Sequence, residues 1–332
     1  MKRVYLLLFA ISLCSVEMTL AESNLNPTPM SLPDGRGASY SSTVDYSISD
    51  EFDAKSVDWT KWGRRNTKGL GDFIDDESLV VMESEDGANY LSIKATAKGS
   101  ALPRTAGIVS RSTGYFGLYT LRFRLRGLDQ DAIGAKKYTI WHPSVWCAKE
   151  SYIKGAKRGI DSPKEWLEID FMEWETLHNG WACDAPAYFI ESSGKERKVV
   201  TKGAGIEKAI LTDVIKHDDG EWSTLALEYT PEYLRIWEWR DGAWVDLNKH
   251  DVNFVEHNEA KPESCFSTQT ISTKVAQPSF WIIGNLVSSH LYERLNDPKY
   301  TKNDMSMDVD FFRYYPHKSV ENSHWSWRNG KQ

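Results

Sequence analysis

The run Glu165-Trp166-Leu167-Glu168-Ile169-Asp170-Phe171-Met172-Glu173-Trp174 sets acids into an otherwise apolar stretch. From Leu167 to Phe171 apolar and acidic residues alternate, the pattern of a β-strand with unlike faces. On a regular strand Glu168 and Asp170 share a face, whereas Glu173, an odd number of residues away, points to the other. One extra residue at Phe171 or Met172, a β-bulge, returns Glu173 to the face of the other two. The same acids also fit a strand whose polar face is simply solvated, and the run by itself leaves both readings open.

Outward from this strand the chain is a succession of short runs rich in aromatic and β-branched residues, separated by turn residues. They cover 78–82, 90–95, 107–110, 117–126, 138–146, 166–174, 187–190, 223–230, 233–239, 279–286 and 307–315. Several alternate strictly, as in Leu121-Arg122-Phe123-Arg124-Leu125-Arg126 and Leu234-Arg235-Ile236-Trp237-Glu238-Trp239. The pattern predicts an all-β, two-sheet antiparallel sandwich. Helical signals are confined to 209–216 and 289–296, and the absence of an internal repeat disfavours a propeller or solenoid. Between Cys147 and Lys164, the residues Lys149, Lys154, Lys157 and Arg158 mark a long basic loop just before the acidic strand. A loop in that place either shapes a site or is only solvated charge.

The N-terminus reads as a signal peptide over 1–21: Lys2 and Arg3, an apolar run to Leu13, then Thr19-Leu20-Ala21 before the cut. That run is too short to cross a bilayer, so the mature chain is expected to be exported, extracellular or periplasmic, and free of the membrane. Residues 22–45, rich in Ser, Pro, Gly and Asn, read as a flexible leader, 46–318 as one catalytic-size domain and 319–332 as a tail. The formal net charge of −7 becomes −8 once Lys2, Arg3 and Glu17 leave with the signal, which argues against nucleic acid as a partner. Cys147, Cys183 and Cys265 then remain, enough for one disulfide. Cys147 and Cys183 lie nearest the acidic strand and are the pair to expect, though the sequence leaves the connectivity open.

If the bulge is present, the chemistry of the three acids follows. At roughly 3.3 Å per residue the α-carbons of Glu168 and Glu173 lie about 13 Å apart, and two glutamate arms close most of that gap. What remains is near the roughly 5 to 5.5 Å that separates the two carboxyl groups of a retaining glycosidase. Glu168 then suits a nucleophile and Glu173 a general acid and base, while Asp170 shares a proton with Glu168 and helps keep Glu173 protonated.

Glu168-Ile169-Asp170-Phe171-Met172-Glu173 resembles the bulged E-[ILV]-D-x-x-E signature of glycoside hydrolase family 16, the branch of laminarinases, agarases, porphyranases and carrageenases. Flanking segments resemble the same family in the same order. Asp50-Glu51-Phe52-Asp53 with Trp59-Thr60-Lys61-Trp62 resembles its opening strand, and Gly107-Ile108-Val109-Ser110 with Tyr115-Phe116-Gly117-Leu118-Tyr119 the strands that follow. Trp222 to Pro231, Ser279 to Leu286 and Met307 to Tyr315 resemble three later ones. The resemblance implies a concanavalin A-like jelly roll with a concave cleft, and a secreted, monomeric, retaining endo-hydrolase of a polysaccharide. Thr120, Tyr188 and the lack of Gly-Gly after Leu286 depart from the family pattern and put the sugar subsites in question.

With 14 Trp and 15 Tyr the chain is well supplied with aromatic faces for sugar stacking, although many serve a core equally well. Trp146 is the first candidate, followed by Trp141, Trp174 and Trp62. Arg64, Arg65 and Arg111 fall on segments that border the cleft in the resemblance, where guanidinium groups suit sulfate. They and the missing Gly-Gly favour a red-algal galactan such as agar, porphyran or carrageenan over a laminarin-type β-1,3-glucan. No cofactor is required for the chemistry. The resemblance also assigns Asp310 to a structural calcium outside the cleft. A lectin on the same sandwich is the competing class, but it has no need of three converging acids.

Overall fold

Strands with one apolar and one polar face must bury the apolar face against another layer. In the computed structural model of this chain they do so as two stacked antiparallel sheets. The structure describes residues 27–66, 73–99, 101–127, 138–148, 152–155, 165–175, 180–184, 187–190, 197–201, 220–230, 234–247, 278–287 and 300–319. One sheet runs in the order β1 (Trp62–Arg64), β6 (Gly107–Ser110), β17 (Phe280–Val287), β9 (Trp141–Ala148), β10 (Glu165–Glu175), β12 (Ala187–Ile190) and β13 (Arg197–Thr201). In it β11 (Gly180–Asp184) also pairs with β10. The other runs β16 (Ala243–Asp246), β15 (Leu234–Arg240), β14 (Ser223–Tyr229), β7 (Gly117–Arg126), β19 (Met305–Pro316), β4 (Ala88–Ala95) and β3 (Val80–Glu85). Two short parallel pairs complete the set, β2 (Ile74–Asp75) with β5 (Arg104–Thr105) and β8 (Tyr138–Thr139) with β18 (Tyr300–Thr301).

The core lies between the sheets. Ile108, Val145, Cys147, Ile169, Phe171, Trp281 and Ile283 meet Tyr119, Leu121, Phe123, Leu225, Leu227, Val309 and Phe312 across it. Alternation then sends the intervening residues of β9, β10 and β17 to the outer face of the first sheet. A second apolar cluster forms there from Val109, Trp146, Ala148, Tyr152, Ile153, Phe280 and Ile282. No helix among the described residues is long and apolar enough to cross a membrane. The helical segments expected over 209–216 and 289–296 lie outside the described residues.

Two expectations need correction. From Pro27 onward the expected leader belongs to the packed body: it forms 3-10 turns and buries Leu32 and Tyr40 against Leu118, Ala226, Trp237, Trp244 and Tyr315. The disulfide favoured between Cys147 and Cys183 does not fit. Cys147 is buried on β9 and Cys183 belongs to β11, and the two strands flank β10 on opposite sides. Two strand spacings put the α-carbons about 9.6 Å apart or more, beyond the roughly 7 Å a disulfide spans.

Candidate active site

The register of β10 settles the parity of its acids. Glu168, Asp170 and Glu173 pair with Ala148, Trp146 and Ser144, alternate residues of β9, so all three positions belong to one face. Between them the register shifts by one: Asp170 opposes Trp146 while Met172 already opposes Val145, which leaves Phe171 as the extra residue. The pairing with β11 shifts in the same interval. Phe171 and Met172 are consecutive apolar residues and both enter the inter-sheet core, which is what holds the bulge open. Asp170 is 5% exposed and Glu173 is half-buried. The side chains of Glu168 and Trp174 lie outside what is described.

His142 joins this face two positions before Ser144. Its Nε2 lies 2.8 Å from Oε1 of Glu173, and its backbone N–H donates to Oδ1 of the buried Asn285 at 3.1 Å. Pro143 follows it and biases its backbone toward the extended region. The sequence reading passed over His142. Its even spacing from Trp146 along one strand was the available signal.

Trp146, 8% exposed, has Tyr152 edge-on at 5.4 Å between ring centroids and the Arg65 guanidinium at 5.3 Å from its own. Arg65 is 1% exposed and lies over Gly284 and Gly107, a cross-strand pair. A Cβ on Gly284 would fall 2.9 Å from Nη1 of Arg65, so the lack of a side chain there gives the guanidinium its room. A desolvated cation over an indole face is attractive and fixes both groups. Asp75 has its carboxyl pushed above the usual range by burial, with the charges of Lys154 and Arg65 acting the other way.

The remaining candidates go elsewhere. Trp141 and Trp62 are core residues, their indole N–H groups donating to the Asn303 carbonyl and to Asp50. Arg64 pairs with Glu77 and stacks on Trp59. Arg111 braces the chain by donating to the Trp59 and Trp62 carbonyls. Asp310 is the extra residue of a second bulge, between Val309 and Phe311, and its carboxylate is held by Arg122. Among the described residues no group of three His, Cys, Asp or Glu capable of holding a metal is found.

No protein-family profile matches the sequence, and no curated protein matches it. Solved structures do. LamA from Zobellia galactanivorans, as a variant in complex with laminaritriose and laminaritetraose, is 16% identical, covering 83% of this chain and 99% of that one, with a TM-score of 0.52. A Bacteroides ovatus mixed-linkage glucan GH16 protein in complex with its product is 13% identical over 80% and 99% of the two chains, TM-score 0.51. β-Agarase A from Zobellia galactanivorans is 14% identical over 82% and 92%, TM-score 0.50. At such identities the likeness carries the fold, the two-sheet jelly roll of glycoside hydrolase family 16, as the sequence predicts.

Proposed function

We propose that this chain is a retaining, endo-acting glycoside hydrolase that cleaves β-glycosidic bonds within a polysaccharide. The observation that carries the reading is the bulge at Phe171, which gives Glu168, Asp170 and Glu173 one face of β10. In the first step a Glu168 oxygen bonds to the anomeric carbon as the glycosidic bond breaks and Glu173 gives its proton to the leaving oxygen. In the second, Glu173 takes a proton from water, the water oxygen bonds to the anomeric carbon, and Glu168 is released. Asp170, nearly buried beside them, shares a proton with Glu168 in the free enzyme and keeps that proton while Glu168 is bonded to the sugar. A water-first, inverting route needs roughly 6.5 to 9.5 Å between the carboxyl groups, more than the roughly 5 to 5.5 Å expected from the strand spacing of a bulged Glu168 and Glu173.

Two polymer classes come forward. Of the arginines that favoured a sulfated galactan, Arg64 and Arg111 are engaged at the sheet edge and Arg65 is covered, so a β-1,3-glucan stands level with agar, porphyran and carrageenan. Structural neighbours named for laminari-oligosaccharides and for agarase support both. Reducing-end release across agarose, porphyran, carrageenans, laminarin and lichenan separates the classes. Proton NMR of the first products tests the mechanism: β-anomers are expected before mutarotation, and an initial α-signal, or no release from any polymer, overturns the proposal.

A further inference from the structure

A carboxyl group that must protonate a leaving oxygen has two oxygens on which to carry the proton, and only the one facing the sugar is useful. In this chain Oε1 of Glu173 is already engaged, 2.8 Å from Nε2 of His142. Both side chains are largely withdrawn from water, 18% and 20% exposed, so the bond is little weakened by competing solvent. The backbone that carries the imidazole is held in place: the main-chain N–H of His142 donates to Oδ1 of Asn285, Pro143 keeps that backbone extended, and Ser144, the next outward residue, pairs with Gly284 on one side and Glu173 on the other.

Charged groups around the pair are few among the described residues. Asp170 precedes Glu173 on the same face of β10, Glu168 holds the position beyond it, and Arg65 lies over Trp146 on the neighbouring strand. Asp170 and the Glu168 position are acidic, so an imidazole that donates suits this surrounding.

We propose that His142 is a positioning residue for hydrolysis: its Nε2–H donates to Oε1 of Glu173 and leaves Oε2 as the oxygen that carries the transferable proton. This rests on the glycoside hydrolase reading. In the first step the Oε2 proton passes to the glycosidic oxygen as the bond to the anomeric carbon breaks. In the second, Oε2 receives a proton from the attacking water. The Nε2 proton of His142 stays in place throughout, and the imidazole touches neither the sugar nor the water.

The test compares His142→Leu, His142→Gln and Glu173→Gln on two substrates: the polymer that wild type degrades fastest, and a dinitrophenyl glycoside of its disaccharide, whose leaving group departs without a proton. General acid catalysis is worth about 10²–10⁴-fold, so losing its alignment should lower kcat of His142→Leu on polymer by about ten- to a hundredfold, with KM within about twofold. On the dinitrophenyl glycoside kcat/KM should stay within about twofold of wild type. His142→Gln, which keeps an N–H near the same place, should recover most of the loss. Should His142→Leu not fold, His142→Gln against His142→Glu makes the same comparison, an amide donor against a repelling carboxylate. Wild-type polymer turnover by His142→Leu, or equal losses on both substrates, overturns the positioning role alone. Full polymer activity in Glu173→Gln removes Glu173 as the acid, and the role of His142 with it, whereas no release from any polymer by wild type removes the hydrolase assignment on which both rest.

Discussion

Arg65 illustrates how much one residue's surroundings decide. Its guanidinium is almost wholly buried, so its energy depends on what it lies against: the Trp146 ring, and the backbone left bare by Gly284 and Gly107. A methyl group on Gly284 would meet Nη1 of Arg65 at 2.9 Å and the Ala106 carbonyl oxygen and Gly107 Cα at 3.2 Å. The guanidinium can swing away, at the expense of its contact with Trp146, but the backbone cannot. Gly284→Ala should therefore cost about 1–3 kcal/mol, the usual range for overpacking. In an Arg65→Ala background it should cost visibly less. Denaturant unfolding of the two single variants and the double variant measures the coupling, and strict additivity would show that Arg65 does not lie over Gly284. Parity explains which residues of this face were legible in the sequence. Trp141 and Trp146 are an odd number apart on one strand, so only one could face outward, and the same holds for the adjacent Arg64 and Arg65. Which one faced out depended on where the core lay. His142 was legible by the same rule once Trp146 was placed.

At the scale of elements, the bulge of β10 makes the strand more than a carrier of acids. Phe171 and Met172 occupy the place of a single core residue opposite Val145, and Phe171 packs edge-on against Trp281 at 6.1 Å. Deleting Phe171 would leave Glu168 and Glu173 an even number of residues apart, so a regular strand without the bulge keeps all three acids on one face and Met172 alone opposite Val145. The deletion should lower thermal stability, since the core loses the Phe171 ring, while leaving measurable polymer hydrolysis in the folded variant. Phe171→Ala keeps the backbone count, so it should lose about 3–5 kcal/mol of stability yet retain activity within a few-fold when assayed below its melting temperature. Complete loss of hydrolysis in a deletion variant that still folds would refute parity as the reason for the bulge. The need for an extra residue could be read from the spacing of Glu168 and Glu173; its place, 171 rather than 172, came from the pairing with β9. Each of the eleven runs marked in the sequence corresponds to strand in the structure. Missed were β1, β2, β5, β11, β13, β16 and β18, of two to five residues each, too short for alternation to stand out from turn composition.

Across the whole molecule the sequence reading erred most at 27–45, where Ser, Pro and Gly suggested a loose leader. Composition fails there because a few large residues do the packing while the small ones only shape the turns. The segment crosses the outer face of the second sheet, on the far side of the molecule from the acidic face. Beneath it lies Glu228, fully buried, whose carboxylate accepts from the Tyr40 hydroxyl at 2.8 Å and the Trp237 indole at 2.9 Å, with Arg36 at 3.6 Å. Backbone bonds from Ser41 to the Pro316 carbonyl and from Asp45 to the Tyr314 carbonyl stitch the segment along β19. Tyr40→Phe removes one donor from a buried carboxylate while leaving the ring in place, which should destabilise the fold by about 1–3 kcal/mol. For a domain of this size that is a fall of roughly 2–4 °C in Tm per kcal/mol. Because Tyr40 is a sheet away from Glu173, kcat and KM measured well below the transition should be unchanged. Truncation to residue 46 should lower Tm further than Tyr40→Phe, since it also uncovers Leu118, Ala226 and Trp237. A truncated chain that melts with wild type would mean the segment rests on the sheet without holding it. A truncated chain with wild-type Tm and reduced turnover would instead link this face to the active site, against the separation of the two sheets drawn above.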